Sequence, residues 1–171
     1  EIAEREVIAL NIANINFPEL TLGQVKLALE ESNGVMQLKD SKRFFDGTAK
    51  FEIPVIGNVE GFGKISGKVD CLRVSGEKVE IIDFKTDRNP PKLEIEVKMS
   101  YILQIGLYTE LIQKIYPSYL VCSYLLWTKN KCLMPISREL QKKLSSKIFK
   151  RKWKYQYFVN FLGLDDKINK P

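Results

Sequence analysis

Residues 67–86 read GKVDCLRVSGEKVEIIDFKT, and the fold of the whole chain turns on them. Two strand-like runs, 65–74 and 78–86, flank Ser75-Gly76, a small-residue pair suited to a tight hairpin turn. Successive side chains of a strand point to opposite faces, so Asp83 and Lys85 emerge on one face, roughly 7 Å apart. Asp70 belongs to the neighbouring strand. An aspartate inside the run Val79–Phe84 is costly to bury as an unpaired charge, and so is the lysine that follows. An ion pair or a bound metal ion would relieve that cost.

The chain has 171 residues, of which 44% are hydrophobic and 28% charged, enough for one domain with a sizeable core and ordinary for a globular protein. No apolar run approaches the roughly 20 residues that span a bilayer, and the N-terminus lacks the basic-then-apolar design of a signal peptide. The expected location is the cytoplasm. Three cysteines, Cys71, Cys122 and Cys132, show no CxxC spacing. Reduced, buried thiols are their expected state, with a disulfide or a metal site as the alternative. The chain contains no histidine, which excludes His-based triads, histidine general bases and His-ligated zinc within it.

A net charge of +6 permits a polyanionic partner without requiring one. Its distribution says more. The segment 142–154, KKLSSKIFKRKWK, carries seven cations and no acid, and Trp153, Tyr155, Tyr157 and Phe158 interleave or follow. Lys150, Arg151 and Lys152 at its centre suit phosphate binding with stacking aromatics nearby. A solvated basic tail is the equal alternative.

Around the hairpin the remaining elements fall into order. Residues 1–15 carry Ile2, Val7, Ile8, Leu10, Ile12 and Ile15 in the pattern of an amphipathic helix. A second helix starts after Thr21, a suitable N-cap, and Asn33-Gly34 ends it, with a short third helix over 35–45. Residues 48–56 alternate as a strand, so three consecutive antiparallel strands are expected. Asp87-Arg88-Asn89-Pro90-Pro91 leaves the sheet as a loop, because prolines lack donors and restrict their predecessors. Residues 96–116 form a helix presenting Tyr101, Gln104, Ile105 and Tyr108, and Pro117 stops it. Tyr119–Trp127 is a nearly unbroken apolar run, the mark of a strand covered on both faces. Strand, helix and buried strand make a βαβ crossover, which demands a parallel pair. An edge strand near 132–135 and a helix over 137–147 follow.

This order, with aspartate opening the second strand of the hairpin region, D-x-K on the third strand and Q-x-x-x-Y on the next helix, resembles the PD-(D/E)XK nuclease superfamily. Within it the likeness is to RecB-type nucleases, and more narrowly to the C-terminal nuclease domain of AddA-type helicase-nucleases of double-strand-break repair. The residues that carry it are Glu52 to Val55, Ser66 to Asp70, Ile82 to Arg88, Tyr101, Gln104 to Tyr108, Tyr116-Pro117 and Leu125 to Thr128. The fold so implied is α/β: a restriction-endonuclease-like core, with a mixed sheet of three antiparallel strands plus a parallel crossover strand, flanked by helices. The implied division is a nuclease domain over 1–147, with a helical part at 1–46 and a catalytic core at 47–136, then a basic aromatic tail over 148–171.

The resemblance also assigns roles. Asp70 and Asp83 match metal-binding acids, with the Phe84 carbonyl as a further ligand; Lys85 matches the catalytic lysine; Gln104 and Tyr108 match helix residues flanking the site. Two close carboxylates suit a hard ion such as Mg²⁺ or Mn²⁺, which keeps waters in its shell and lowers the pKa of one. Lys68 and Arg88 are candidate DNA-phosphate contacts. Glu52 matches a family position, and pairing with a lysine explains it equally well.

RecB-type nucleases are expected to place a histidine ligand on a helix upstream of the region matched, and this chain has none. Glu4 or Glu6 on the first helix is the candidate substitute. Two functions stand side by side: a metal-dependent DNA nuclease of recombinational repair, cutting as an exonuclease or on single strands, and a catalytically weakened remnant that binds DNA or a helicase partner subunit. A restriction-type or junction-resolving enzyme fits less well, because the similarity continues to Thr128.

Overall fold

The structure is a computed structural model; it describes residues 2–150, with side chains over 4–147. Five strands, β1 (Lys50–Val59), β2 (Gly63–Ser75), β3 (Lys78–Lys85), β4 (Leu120–Trp127) and β5 (Cys132–Ile136), lie side by side in chain order in one sheet. Every neighbouring pair is antiparallel except β3 and β4, which run parallel as the crossover demands. Four helices accompany them: α1 (Ile2–Asn16), α2 (Leu22–Gln37), α3 (Met99–Ile115) and α4 (Arg138–Lys150). The fold is therefore α/β with a mixed sheet flanked by helices. Helix α4 crosses the boundary expected at 147/148, and the tail beyond residue 150 lies outside the described residues.

The hairpin is present, displaced by one residue. Ser75 pairs with Lys78, so the turn residues are Gly76 and Glu77 rather than Ser75 and Gly76. Gly76 has φ +56° and Glu77 does not share the positive sign. A positive φ at the first turn residue alone is the arrangement that glycine supplies without steric cost.

The pleat sorts side chains onto two cores. Val79, Ile81, Val69, Leu125 and Trp127 face α3 and α4, joined there by Ile102, Ile105 and Ile112. Cys71, Ile82 and Leu126 face the other way, against Val35 of α2 and Phe44 of a short 3₁₀ turn. All three cysteines carry free thiols, and only Cys71 is fully buried; burial pushes its thiol up to about 12. Helix α3 comes unusually close to the first strands. A Cβ on Gly67 would stand 2.5 Å from the Tyr108 hydroxyl, and one on Gly57 would stand 2.8 Å from Leu111.

One expectation about the N-terminal helices is corrected. Asn33-Gly34 does not end the second helix, which runs on to Gln37 behind a Thr21–Gln24 capping box. The aliphatic stem of Lys131 occupies the space over Gly34, filling what a side chain would have filled. In α1 the apolar positions do not face the core. Val7, Ile8, Ile12 and Ile15 are exposed and, among its described side chains, only Ala13 is buried; the main packing of α1 is against α2.

Candidate active site

The register of β2 and β3 sets up the site. Their last ladder pair is Cys71 with Ile82. One step further along the same register Asp70 stands opposite Asp83, on the face covered by α3. There the ladder ends, and the Phe84 amide donates instead to Asp70 Oδ2 at 2.7 Å. The carboxylate satisfies a donor that the β2 backbone leaves behind.

Asp83 and Lys85, two residues apart, share that face as their spacing requires. Lys85 Nζ lies 2.5 Å from Asp83 Oδ2, with side-chain exposures of 12% and 5%. The same ammonium donates to Gln104 Oε1 at 2.9 Å and sits 4.1 Å from the centre of the Tyr101 ring. Gln104 and Tyr101 come from one face of α3, three residues apart. Tyr108, one turn beyond Gln104, reaches over Gly67. Burial pushes its phenol up, and contacts with the Gln104 side chain and the Lys68 backbone pull it back. The structure thus brings Asp70, Asp83, Lys85, Gln104 and Tyr108 together.

The electrostatics show a site short of positive charge. Burial pushes Asp83 up to about 6, although the Lys85 ammonium draws it down, and the charge of Asp70 adds to the rise. Burial likewise raises Asp70, against the pull of the Phe84 amide and Lys85. Asp83 Oδ2 is buried, with the Lys85 ammonium at 2.5 Å as the one partner shown for it. A buried carboxylate oxygen in that condition suits an added cation.

The backbone supports the same reading. Lys85 turns its carbonyl to β4, where it accepts from the Thr128 amide at 3.0 Å. Carbonyls alternate along a strand, so that of Phe84 points the other way, to the Asp70 side. Two carboxylates and a carbonyl fit a hard divalent ion that retains waters. Among the described residues no group of three histidine, cysteine, aspartate or glutamate side chains stands close enough to hold a metal, so the set contains two protein carboxylates.

The other expected residues lie around this centre or away from it. Lys68 is exposed and pairs with Glu52 at 2.6 Å, the lysine partner expected for that glutamate. Glu52 stands across from Asp70 in the β1–β2 register and has φ +56°, a conformation uncommon for a side-chain-bearing residue. Arg88 is exposed in the loop after β3. Lys150 is described only by its backbone, and Arg151 and Lys152 lie outside the described residues. Glu4 and Glu6 are exposed on α1, away from the carboxylate pair; Glu31 of α2 is the helical acid that reaches the strand end. It accepts from Thr128 Oγ1 at 3.3 Å and pairs with Lys129, next to the Lys85 carbonyl. Sequence reading missed this brace, whose partners are 97 residues apart, and also the brace of Asp87 and Lys98 on Tyr101.

Two aspartates and a lysine thus converge from adjacent strands of this α/β domain beneath α3. The profile of the PD-(D/E)XK nuclease superfamily matches residues 9–154, and the chain belongs to that superfamily. No curated protein matches it. A solved structure described as "Crystal structure of SSO0001" aligns at 17% identity over 88% of this chain and 72% of that one, with a TM-score of 0.38, a likeness too slight to bear on function. No helix among the described residues is long and apolar enough to cross a membrane.

Proposed function

We propose that the chain is a metal-dependent deoxyribonuclease domain of the RecB/AddA type, acting on DNA ends or single strands in cytoplasmic recombinational repair, beside a helicase-nuclease partner. The observation that carries the reading is the buried Asp83–Lys85 pair, with Gln104 on the ammonium and Asp70 alongside. Asp70, Asp83 and the Phe84 carbonyl would hold Mg²⁺ or Mn²⁺, which supplies Lewis-acid polarisation of a phosphate oxygen and a more acidic bound water.

Within that setting each side chain has a task. Lys85 Nζ, fixed by Asp83 and Gln104, orients the attacking water in line with the scissile phosphorus–oxygen bond. Its charge also offsets the negative charge that grows on the phosphoryl oxygens. Gln104 and Tyr108 hold the lysine and the β2 backbone in register. Lys68, Arg88 and the cations Lys150, Arg151 and Lys152 would attract the DNA backbone by charge.

The two-carboxylate set favours a second reading, a weakened remnant that binds DNA or a partner without cutting. Cleavage of labelled single-stranded and duplex DNA in Mg²⁺ or Mn²⁺, beside Asp83→Ala and Lys85→Ala, separates the two. Cleavage by the parent alone supports the enzyme. No cleavage, with DNA still retarded in a binding assay, supports the remnant.

A further inference from the structure

Lys85 is framed on a third side that neither the D-x-K spacing nor Q-x-x-x-Y accounts for. Its ammonium stands 4.1 Å from the centre of the Tyr101 ring. Tyr101 in turn donates its hydroxyl to Asp87 Oδ2 at 2.9 Å, and Asp87 pairs with Lys98. Lys98 Nζ lies 5.1 Å from the same ring. Trp127, opposite Lys85 in the β3–β4 register, backs the ring at 6.1 Å with a 53° tilt.

We infer that Tyr101, braced by Asp87, is a positioning residue for Lys85. A lysine ends in four rotatable bonds, and an ion pair with Asp83 alone leaves the ammonium free to pivot. The ring face offers a broad negative surface beside the Gln104 contact, a third fixed partner that limits the swing of the amine away from Asp83. Donation of the phenol to a carboxylate pushes electron density into the ring and strengthens that attraction. Lys98 keeps Asp87 ionised: its hydrogen bond and charge hold that carboxyl below the usual range. Asp87 belongs to the loop after β3 and Tyr101 to α3, so the brace also ties the end of the catalytic strand to the helix above it.

The inference rests on the nuclease reading for its consequence in catalysis, and on geometry alone for its effect on Lys85. The test reads both. Parent, Tyr101→Phe, Tyr101→Leu and Asp87→Ala are acetylated with a water-soluble succinimidyl ester in EDTA, with Lys85, Lys98 and Lys78 followed by mass spectrometry. Kinetics of DNA cleavage in Mn²⁺ are measured in parallel.

Loss of the ring in Tyr101→Leu should raise Lys85 acetylation about fivefold, Asp87→Ala should raise it about twofold, and Tyr101→Phe should stay below the Tyr101→Leu value. Lys78, on the far face, should not change in any variant. In cleavage, kcat should fall about tenfold in Tyr101→Leu with KM within about twofold, and Tyr101→Phe should recover most of it. Unchanged Lys85 acetylation in Tyr101→Leu overturns the inference, as does a rise in KM with kcat intact. If Tyr101→Leu fails to fold, Asp87→Ala decides: Lys85 acetylation raised about twofold supports the brace, and no rise overturns it. Should the parent not cut DNA, the nuclease reading fails and the acetylation result still decides whether Tyr101 holds Lys85.

Discussion

Asp70 Oδ2 accepts the amide hydrogen of Phe84, so a side chain stands where the backbone of β2 would otherwise have continued the ladder. The same aspartate therefore has a structural duty and, in the proposed function, a metal-binding one. Asparagine separates them. Asp70→Asn keeps an acceptor for the amide and should hold stability within about 1 kcal/mol, while abolishing Mn²⁺-dependent cleavage; Asp70→Ala should lose about 1–3 kcal/mol as well, because a half-buried donor is orphaned. Urea denaturation of both variants checks the difference.

Asp83 is a cost to the fold. Its pKa is raised from 3.8 to about 6, so between those values the native chain keeps a proton that the unfolded chain has released. Native protons in excess mean that stability falls as pH rises through this window, and the full penalty is present above about 6. Asp83→Asn should therefore be more stable than the parent at pH 7 by about 2 kcal/mol, with the gap closing below pH 4. Thermal melts across that range read the gap. Adding Mn²⁺ should narrow it, since an ion bound only by the native parent stabilises the parent alone.

Glu80 has the opposite sign. It is buried on the far face, where Arg43, Arg73 and Lys78 pair with it at 2.9, 3.4 and 2.9 Å. Burial would raise its pKa, yet hydrogen bonds and charge from Arg43 and Lys78 outweigh that and lower it from 4.5 to about 2. The unfolded chain binds the extra proton, so this stability is complete above pH 4.5 and is lost as pH falls toward 2. Glu80→Gln should cost about 3 kcal/mol at pH 7, leaving three cations around a neutral group. Denaturant midpoints at pH 7 and pH 3 check both the size and the convergence.

Gly67 is glycine because Tyr108 lies over it. A methyl there would meet the phenol oxygen at 2.5 Å and a ring carbon at 2.7 Å. Gly67→Ala should destabilise by about 1–3 kcal/mol and displace Tyr108 from Gln104. A tenfold or smaller loss of cleavage, with Asp70 and Asp83 intact, is the expected reading in a DNA assay.

Much of this was legible in the chain. Period-two spacing put Asp83 and Lys85 on one face, Ser75-Gly76 marked the hairpin to within one residue, and an apolar run after an amphipathic helix demanded the parallel strand β4. Gln104 and Tyr108 were found by their place after D-x-K. The N-terminal helices were read less well. Gly34 looked like a stop because nothing local reveals Lys131 lying across it, and for α1 the periodicity gave a helix with its apolar residues on one side, not what covers that side.

By itself the sequence determined the five strands, the helix between β3 and β4, their order and the parallel crossover, since these follow from local propensity, apolar periodicity and the chirality of the backbone. It also determined that no histidine takes part in any site within the chain. Only the tertiary structure decided that Asp70 replaces a ladder bond, that Tyr101 and Asp87 close around Lys85, that Glu31 meets Thr128, and that Asp83 stands at about 6. Each of these depends on side chains brought together from distant elements and on how much water that packing excludes. Neither quantity is encoded in the neighbours of a residue along the chain.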